Sequence, residues 1–237
     1  MAITTVLFDL DGTLLPMDQD IFTKTYFSLL AKRLAAHGYE PEALIAGIWA
    51  GTKAMVKNDG SATNEEVFWD DFCTRFGEKA RNDMPHFEAF YREDFHQAQV
   101  SCGFEPQAAP IVALCKTLGL QTVLATNPIF PAIATEQRIA WAGLKPEDFA
   151  LYTTYENAKH SKPNLNYYRD ILSKLGVSPE ECLMVGNDVD EDMIVEQLGM
   201  QVFLLTPCMI NRSGKDVSAY PQGDFAALAE YLRALNK

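Results

Sequence analysis

Asp9-Leu10-Asp11-Gly12-Thr13 closes a short apolar run, Ile3, Val6, Leu7 and Phe8, that reads as a first buried strand. Residues i and i+2 of a strand share a face, so Asp9 and Asp11 leave the strand end pointing the same way. Gly12 lets the backbone turn at once, where a Cβ would obstruct it. Two carboxylates in front of a Gly-Thr turn make a compact site for a metal ion and a phosphate. The same five residues also fit an ordinary strand end with an Asp-Gly turn.

Three segments further along the chain decide between these readings. Val123-Leu124-Ala125-Thr126-Asn127 is a second apolar strand, ending in a hydroxyl and an amide. Lys162-Pro163 opens a helical stretch from Asn164 to Leu175, and Leu183-Met184-Val185-Gly186-Asn187-Asp188 is a further strand end with Asp192 four residues on. Asp, Thr, Lys and Asp in this order, on successive strand ends and loops, resemble the haloacid dehalogenase-like hydrolase superfamily, from Ile3 to about Leu205.

The chain between these segments is organised accordingly. Phe22, Tyr26, Leu29, Leu30 and Leu34 recur at helical spacing up to Gly38. Pro41 opens a second helix reaching Val56, and Thr63 with Glu66 forms a capping box for a third carrying Val67, Phe68, Phe72 and Phe76. A fourth is expected from Pro85 to Gln97. From Gly103 onward strands and helices alternate: helices over 108–118, 131–142, 164–175 and 190–198, strands over 121–125, 150–154, 182–186 and 201–205. Thr206 to Gly223 reads as irregular, with a closing helix over Phe225 to Leu235. The expected fold is an α/β, Rossmann-like parallel sheet of order 3-2-1-4-5 with an inserted helical cap. Core residues 1–15 and 104–237 would flank a cap over 16–103, joined by hinges near Pro16 and Gly103. In such a sheet ligands bind beyond the carboxyl ends of the strands, where all four segments lie.

The resemblance implies a role for each matched residue. Asp9 would be the nucleophile, Asp11 the general acid and base, and Thr126, Asn127 and Lys162 the phosphate-binding groups, with Lys162 also balancing the charge of Asp9. Mg²⁺ would be held by Asp9, the Asp11 carbonyl and Asp188, with Asp192 behind them. Asn187 stands where the motif often has an acid, so a register shifted by one residue, with Asn187 as ligand and a larger role for Asp192, stays open. The helical insert resembles the C1-type cap of the phosphoglycolate phosphatase-like branch. The implied activity is Mg²⁺-dependent hydrolysis of a small soluble phosphomonoester through an aspartyl-phosphate. Phosphomutase and phosphonate hydrolase are the alternatives, the latter needing a cap lysine such as Lys53 or Lys57. A phosphoacceptor receiver module or a non-catalytic interaction domain is the alternative from another class. Trp49 and Trp69 are candidates for the substrate side of the insert.

Composition bounds the partners. With 20 basic against 32 acidic residues the formal charge is −12, which disfavours nucleic acid and anionic membrane. A phosphorylated metabolite is still compatible, because a lysine, backbone amides and a cation reverse the field locally. The five cysteines are scattered and include no Cys-x-x-Cys, so free thiols, mostly buried, are expected. The histidines show no ligand spacing, and Ser213-Gly214-Lys215 reads as a turn. No apolar run has the length of a membrane span, and strand one leaves no room for a signal segment before it, so the cytoplasm is the expected compartment.

Overall fold

The computed structural model describes residues 2–235. The first strand, β1 (Thr5–Phe8), is buried throughout and leads into a helical segment. That segment comprises α1 (Gln19–Leu34), α2 (Pro41–Val56), α3 (Asn64–Phe76), α4 (Glu78–Asn82) and α5 (Met84–Glu93), and ends in a 3-10 turn over Phe95–Ser101. There follow α6 (Ala108–Thr117), β2 (Gln121–Leu124), α7 (Ala132–Trp141), β3 (Leu151–Tyr152), α8 (Leu165–Leu175), β4 (Cys182–Gly186), β5 (Gln201–Leu205), β6 (Gln222–Gly223) and α9 (Phe225–Ala234).

The sheet order is β3-β2-β1-β4-β5-β6 and every pairing is parallel. Alternate strand residues serve the two faces. Val6, Phe8, Leu183 and Val185 join one apolar cluster with residues of α6 and α9, while Leu7, Cys182 and Met184 join another with Tyr167, Tyr168 and Ile171 of α8. Covered on both sides, β1 and β4 read as unbroken apolar runs.

Three expectations are corrected. The stretch from Thr206 to Gly223 is not wholly irregular, since Gln222–Gly223 extends the sheet beside β5. Gln222 and Gly223 present no apolar side chain, so an apolar pattern does not mark them as a strand. The helix expected over 190–198 is a 3-10 segment, Met193–Leu198. Before it, the Asp188 carboxylate captures the N–H groups of Asp190 and Glu191 at 2.8 and 2.9 Å, while the Asp188 carbonyl accepts from the Asp192 N–H at 2.9 Å, so the chain winds round a side chain as well as round its own carbonyl. The expected Pro85–Gln97 helix is α5 and a separate 3-10 turn, broken at Asp94 (φ −113°), whose carboxylate pairs with Arg33 of α1 at 3.1 Å.

The capping box that opens α3 is present, with Glu66 accepting from the Thr63 N–H and Thr63 accepting from the Glu66 N–H. Where the chain enters and leaves the helical segment, Met17 pairs antiparallel with Cys102, and the Gly103 N–H donates to the Pro16 carbonyl at 2.7 Å. A further attachment was not expected. Asn64, fully buried at the start of α3, donates to the Pro128 carbonyl and to Ser161 Oγ, both at 3.0 Å, and its N–H donates to the Ala158 carbonyl at 2.8 Å. All five cysteines are free thiols, Cys115 and Cys182 buried and Cys73, Cys102 and Cys208 half-buried. Among the described residues no helix is long and apolar enough to cross a membrane.

Candidate active site

Asp9 leaves the end of β1 with its N–H donated to the Val185 carbonyl of β4 at 2.9 Å. Its two oxygens have separate partners: Lys162 Nζ donates to Oδ1 at 2.8 Å, and Thr13 Oγ1 stands 3.0 Å from Oδ2. The Thr13 hydroxyl also lies 2.9 Å from Asn187 Oδ1 and, with one hydrogen, serves one acceptor at a time. Gly12, at φ +89°, makes the turn, and a Cβ there would collide with the Asn187 amide.

Lys162 is 2% exposed and donates a second time to Asp192 Oδ1 at 2.6 Å. Burial alone would lower its pKa, but the carboxylates of Asp192 and Asp9 outweigh that and hold it well above its ordinary value. It is a permanent cation beneath Asp9, within reach of that carboxylate and outside the cavity lining. The other Asp192 oxygen accepts from the Asp188 N–H at 3.1 Å. Gly186 admits this carboxylate, because a Cβ on Gly186 would overlap it.

Asn187 and Asp188 are placed differently. Both ends of the Asn187 amide are engaged, with Thr13 and with the Cys208 carbonyl at 2.7 Å. Asp188 faces the same cavity as Asp9 and is approached by Arg212 at 3.2 Å. Asp192 has both oxygens committed to Lys162 and to backbone. Asp188 lines the cavity with Oδ1 held by the Asp190 and Glu191 N–H groups and Oδ2 approached by Arg212 alone.

Asp11 is held by Arg138, which sequence reasoning missed. The side chain of Arg138 is fully buried, donates to Asp11 Oδ2, and stacks 4.5 Å from the Phe130 ring centroid. Burial pushes the Asp11 carboxyl above the ordinary carboxylate range, the guanidinium pulling against it. Arg138 was legible in one respect, since it shares the buried face of α7 with Ala134, Thr135 and Trp141. An arginine on an apolar helical face requires a buried acid as partner. Arg212, in an irregular segment, gave no such signal. Glu191 also lines the cavity, where it accepts from Asn127 Nδ2 at 3.2 Å; burial raises its pKa.

Asp9, Asp11, Thr126, Asn127, Asp188 and Asp192 thus converge on one cavity of about 390 Å³ between the strand ends and the helical segment. Thr126 is positioned through its backbone, whose carbonyl accepts from Tyr167 and Thr153 hydroxyls at 2.8 and 2.7 Å. Trp49 and Trp69 line the far side; Lys53 and Lys57 are exposed and do not. His160 pairs with Asp170 at 2.8 Å, outside this cavity.

The chain belongs to the haloacid dehalogenase-like hydrolase family, whose family model matches residues 3–195. It is an enzyme of the hydrolase class built on the Rossmann-like fold of that family. Among solved structures it is similar to a 2-haloacid dehalogenase from Pseudomonas syringae pv. Tomato DC3000 (TM-score 0.64, 19% identity, 98% of each chain covered). It is also similar to a HAD phosphatase from Thermococcus onnurineus (TM-score 0.60, 17% identity, 99% of this chain and 100% of that one). A third is described as a predicted phosphoglycolate phosphatase from Haemophilus somnus 129pt (TM-score 0.58, 17% identity, 97% of each). At these identities the likeness shows the shared fold. A comparison with curated proteins found no match.

Proposed function

We propose that the protein is a Mg²⁺-dependent phosphatase acting on a small phosphomonoester through an aspartyl-phosphate, with the helical segment over 16–103 as a cap above the cavity. The observation that carries this reading is Asp11, a second carboxylate two residues after Asp9, turned to the same cavity and tied to its own buried arginine. Displacing a halide needs a nucleophile but no proton donor, because halide leaves as a stable anion. An alcohol leaving from phosphorus needs a proton, and an acid with a raised pKa supplies it.

The donor set fits a divalent cation. At the strand ends, five of the seven acids that line the cavity, Asp9, Asp11, Asp188, Glu191 and Asp192, face three nearby cations, Lys162, Arg138 and Arg212, which leaves two formal negative charges in excess at that end. Among the described residues the Asp11 carbonyl accepts no hydrogen bond, and the buried atoms Asp11 Oδ1 and Asn127 Oδ1 have no partner. Side chains alone do not form a cage of three or more such ligands among the described residues. Asp9 and Asp188 with the Asp11 carbonyl would be the oxygen set for the ion, and Mg²⁺ takes such a small set with water and substrate filling the rest. When bound, the ion would neutralise charge on the phosphoryl oxygens.

The chain's own residues carry out the remaining steps. Asp9 attacks phosphorus, the bond to the leaving oxygen breaks with its electron pair, and Asp11 passes its proton to that oxygen. Thr126 and the Asn127 backbone hold the phosphoryl group, and Lys162 fixes and balances Asp9. Water then attacks phosphorus, its proton passes to the Asp11 carboxylate, and the bond to Asp9 breaks to restore both acids. Hydrolysis of p-nitrophenyl phosphate, assayed with and without Mg²⁺ and beside a short 2-chloro acid, tests this. Metal-dependent phosphate release with no halide release is expected. Halide release without metal would overturn it.

A further inference from the structure

The two ends of the cavity differ in chemistry. Toward the strand ends lie the carboxylates, with Lys162 beneath them; toward the helical segment the wall is aromatic, with one carboxylate set into it. That carboxylate is Glu65, the second residue of α3, half-buried one helical turn before Phe68 and Trp69. Its N–H donates to the Tyr155 carbonyl at 2.9 Å, which fixes the residue at the seam with the sheet. Its side chain makes no hydrogen bond and no ion pair among the described residues. The charged groups that act on it are all acidic, Glu156, Glu66 and Glu88, and burial is the main cause that pushes its pKa upward. A first-turn acid does favour a helix, but Glu66 already fills the capping box.

The lining offers no compensating charge. Arg212 is the one cation among the described lining residues, and its guanidinium is engaged by Asp188 at 3.2 Å and Gln19 at 3.0 Å. Glu88 stands at the exposed rim, where Arg92 pairs with it at 3.1 Å, which leaves Glu65 as the acid of this wall with no partner among the described residues. Tyr26, Trp49, Phe68 and Trp69 present ring surface to the same space. An anionic leaving group such as glycolate would be placed against the unpaired Glu65, and a neutral one would leave Glu65 unpaired. A cation satisfies both features, since carboxylate and aromatic faces each attract ammonium.

Resting on the phosphatase reading above, we infer that the substrate is the phosphate monoester of an alcohol bearing an ammonium group, with Glu65 and the surrounding rings as its cation site. Glu65 is a specificity residue and touches no reacting atom.

Two arms test this on the full chain. In the binding arm, choline and its uncharged isostere 3,3-dimethylbutan-1-ol are titrated by fluorescence of Trp49 and Trp69. Choline is expected to bind at least about tenfold more tightly. Glu65→Gln should bring the two within about twofold while leaving the affinity of the isostere unchanged. In the rate arm, kcat/KM for phosphocholine and phosphoethanolamine should exceed that for phosphoglycolate by at least about tenfold, and Glu65→Gln should shrink that ratio. Equal binding of choline and its isostere, or a preference for phosphoglycolate, overturns the inference. Failure of the phosphatase reading has its own signature, in which no ester of any charge is hydrolysed with Mg²⁺. The binding arm still decides the cation site in that case.

Discussion

Replacing Arg138 with methionine removes the cation paired with Asp11 among the described residues while roughly keeping the volume of a fully buried side chain. Breaking a buried pair costs about 3–5 kcal/mol, because the surviving charge is left uncompensated. Asp11 is 22% exposed on its side chain, so the lower end, about 3 kcal/mol, is expected, with a fall in Tm of about 6–12 °C for a chain of this size. The double variant Asp11→Asn/Arg138→Met should regain part of that loss, since neither charge then remains. The rate effect follows from the pKa. Arg138 is the largest influence lowering the Asp11 pKa against burial, so its removal raises that pKa further. The proton is then retained when Asp11 must act as base toward water, and the acid limb of the pH–rate profile moves to higher pH. A drop in kcat of about 100-fold at neutral pH is expected. Calorimetry gives the Tm, and p-nitrophenyl phosphate turnover across pH gives the profile. An Arg138→Met protein with unchanged Tm and an unshifted acid limb would refute the coupling of Arg138 to Asp11.

Other variants separate further roles. Asp188→Asn should raise the Mg²⁺ concentration for half-maximal activity far more than Asp192→Asn, whose defect should be about 10–100-fold and accompanied by lost stability; metal titration and thermal melts of both variants compare them, and a larger metal defect at Asp192 would favour the shifted register. Gly186→Ala should cost about 1–3 kcal/mol by forcing a Cβ against the buried Asp192 carboxylate, read by denaturant unfolding. Asn64→Ala removes the bonds that Asn64 makes with the Asn58 amide, Ser161 Oγ and the Pro128 carbonyl and should cost about 1–3 kcal/mol. Its hydrogen exchange should rise at 58–64 and 158–161 before elsewhere.

Much of the fold was legible because its elements obey strong local patterns. The fully apolar runs at β1 and β4 mark a sheet covered on both faces, and Thr63 with Glu66 marks a helix start at one residue's precision. The loop from Asp188 to Asp192 resembles a helix start in sequence because its acids look like a favourable first turn, whereas their side chains bind backbone and Lys162. The residues matched by motif line one cavity, except Lys162, which lies beneath Asp9 and reaches it from behind the lining. Arg138 belongs to no motif and shows only as an arginine on the buried face of α7, and Arg212 and Glu65 show nothing, because each acquires its role from a partner or an absent partner distant in sequence. The attachment through Asn64 escapes for the same reason, linking α3 to loops at 128 and 161.

The central claim is that Asp9 carries the phosphoryl group in the reaction. The measurement that tests it is peptide mass spectrometry after acid quench of the protein turning over p-nitrophenyl phosphate with Mg²⁺. The account predicts an acyl-phosphate on the peptide containing Asp9, lost when Mg²⁺ is withheld and absent from Asp9→Asn, which should melt as a folded protein without turnover. A phosphoryl group on any other residue, or steady turnover by Asp9→Asn, would contradict it.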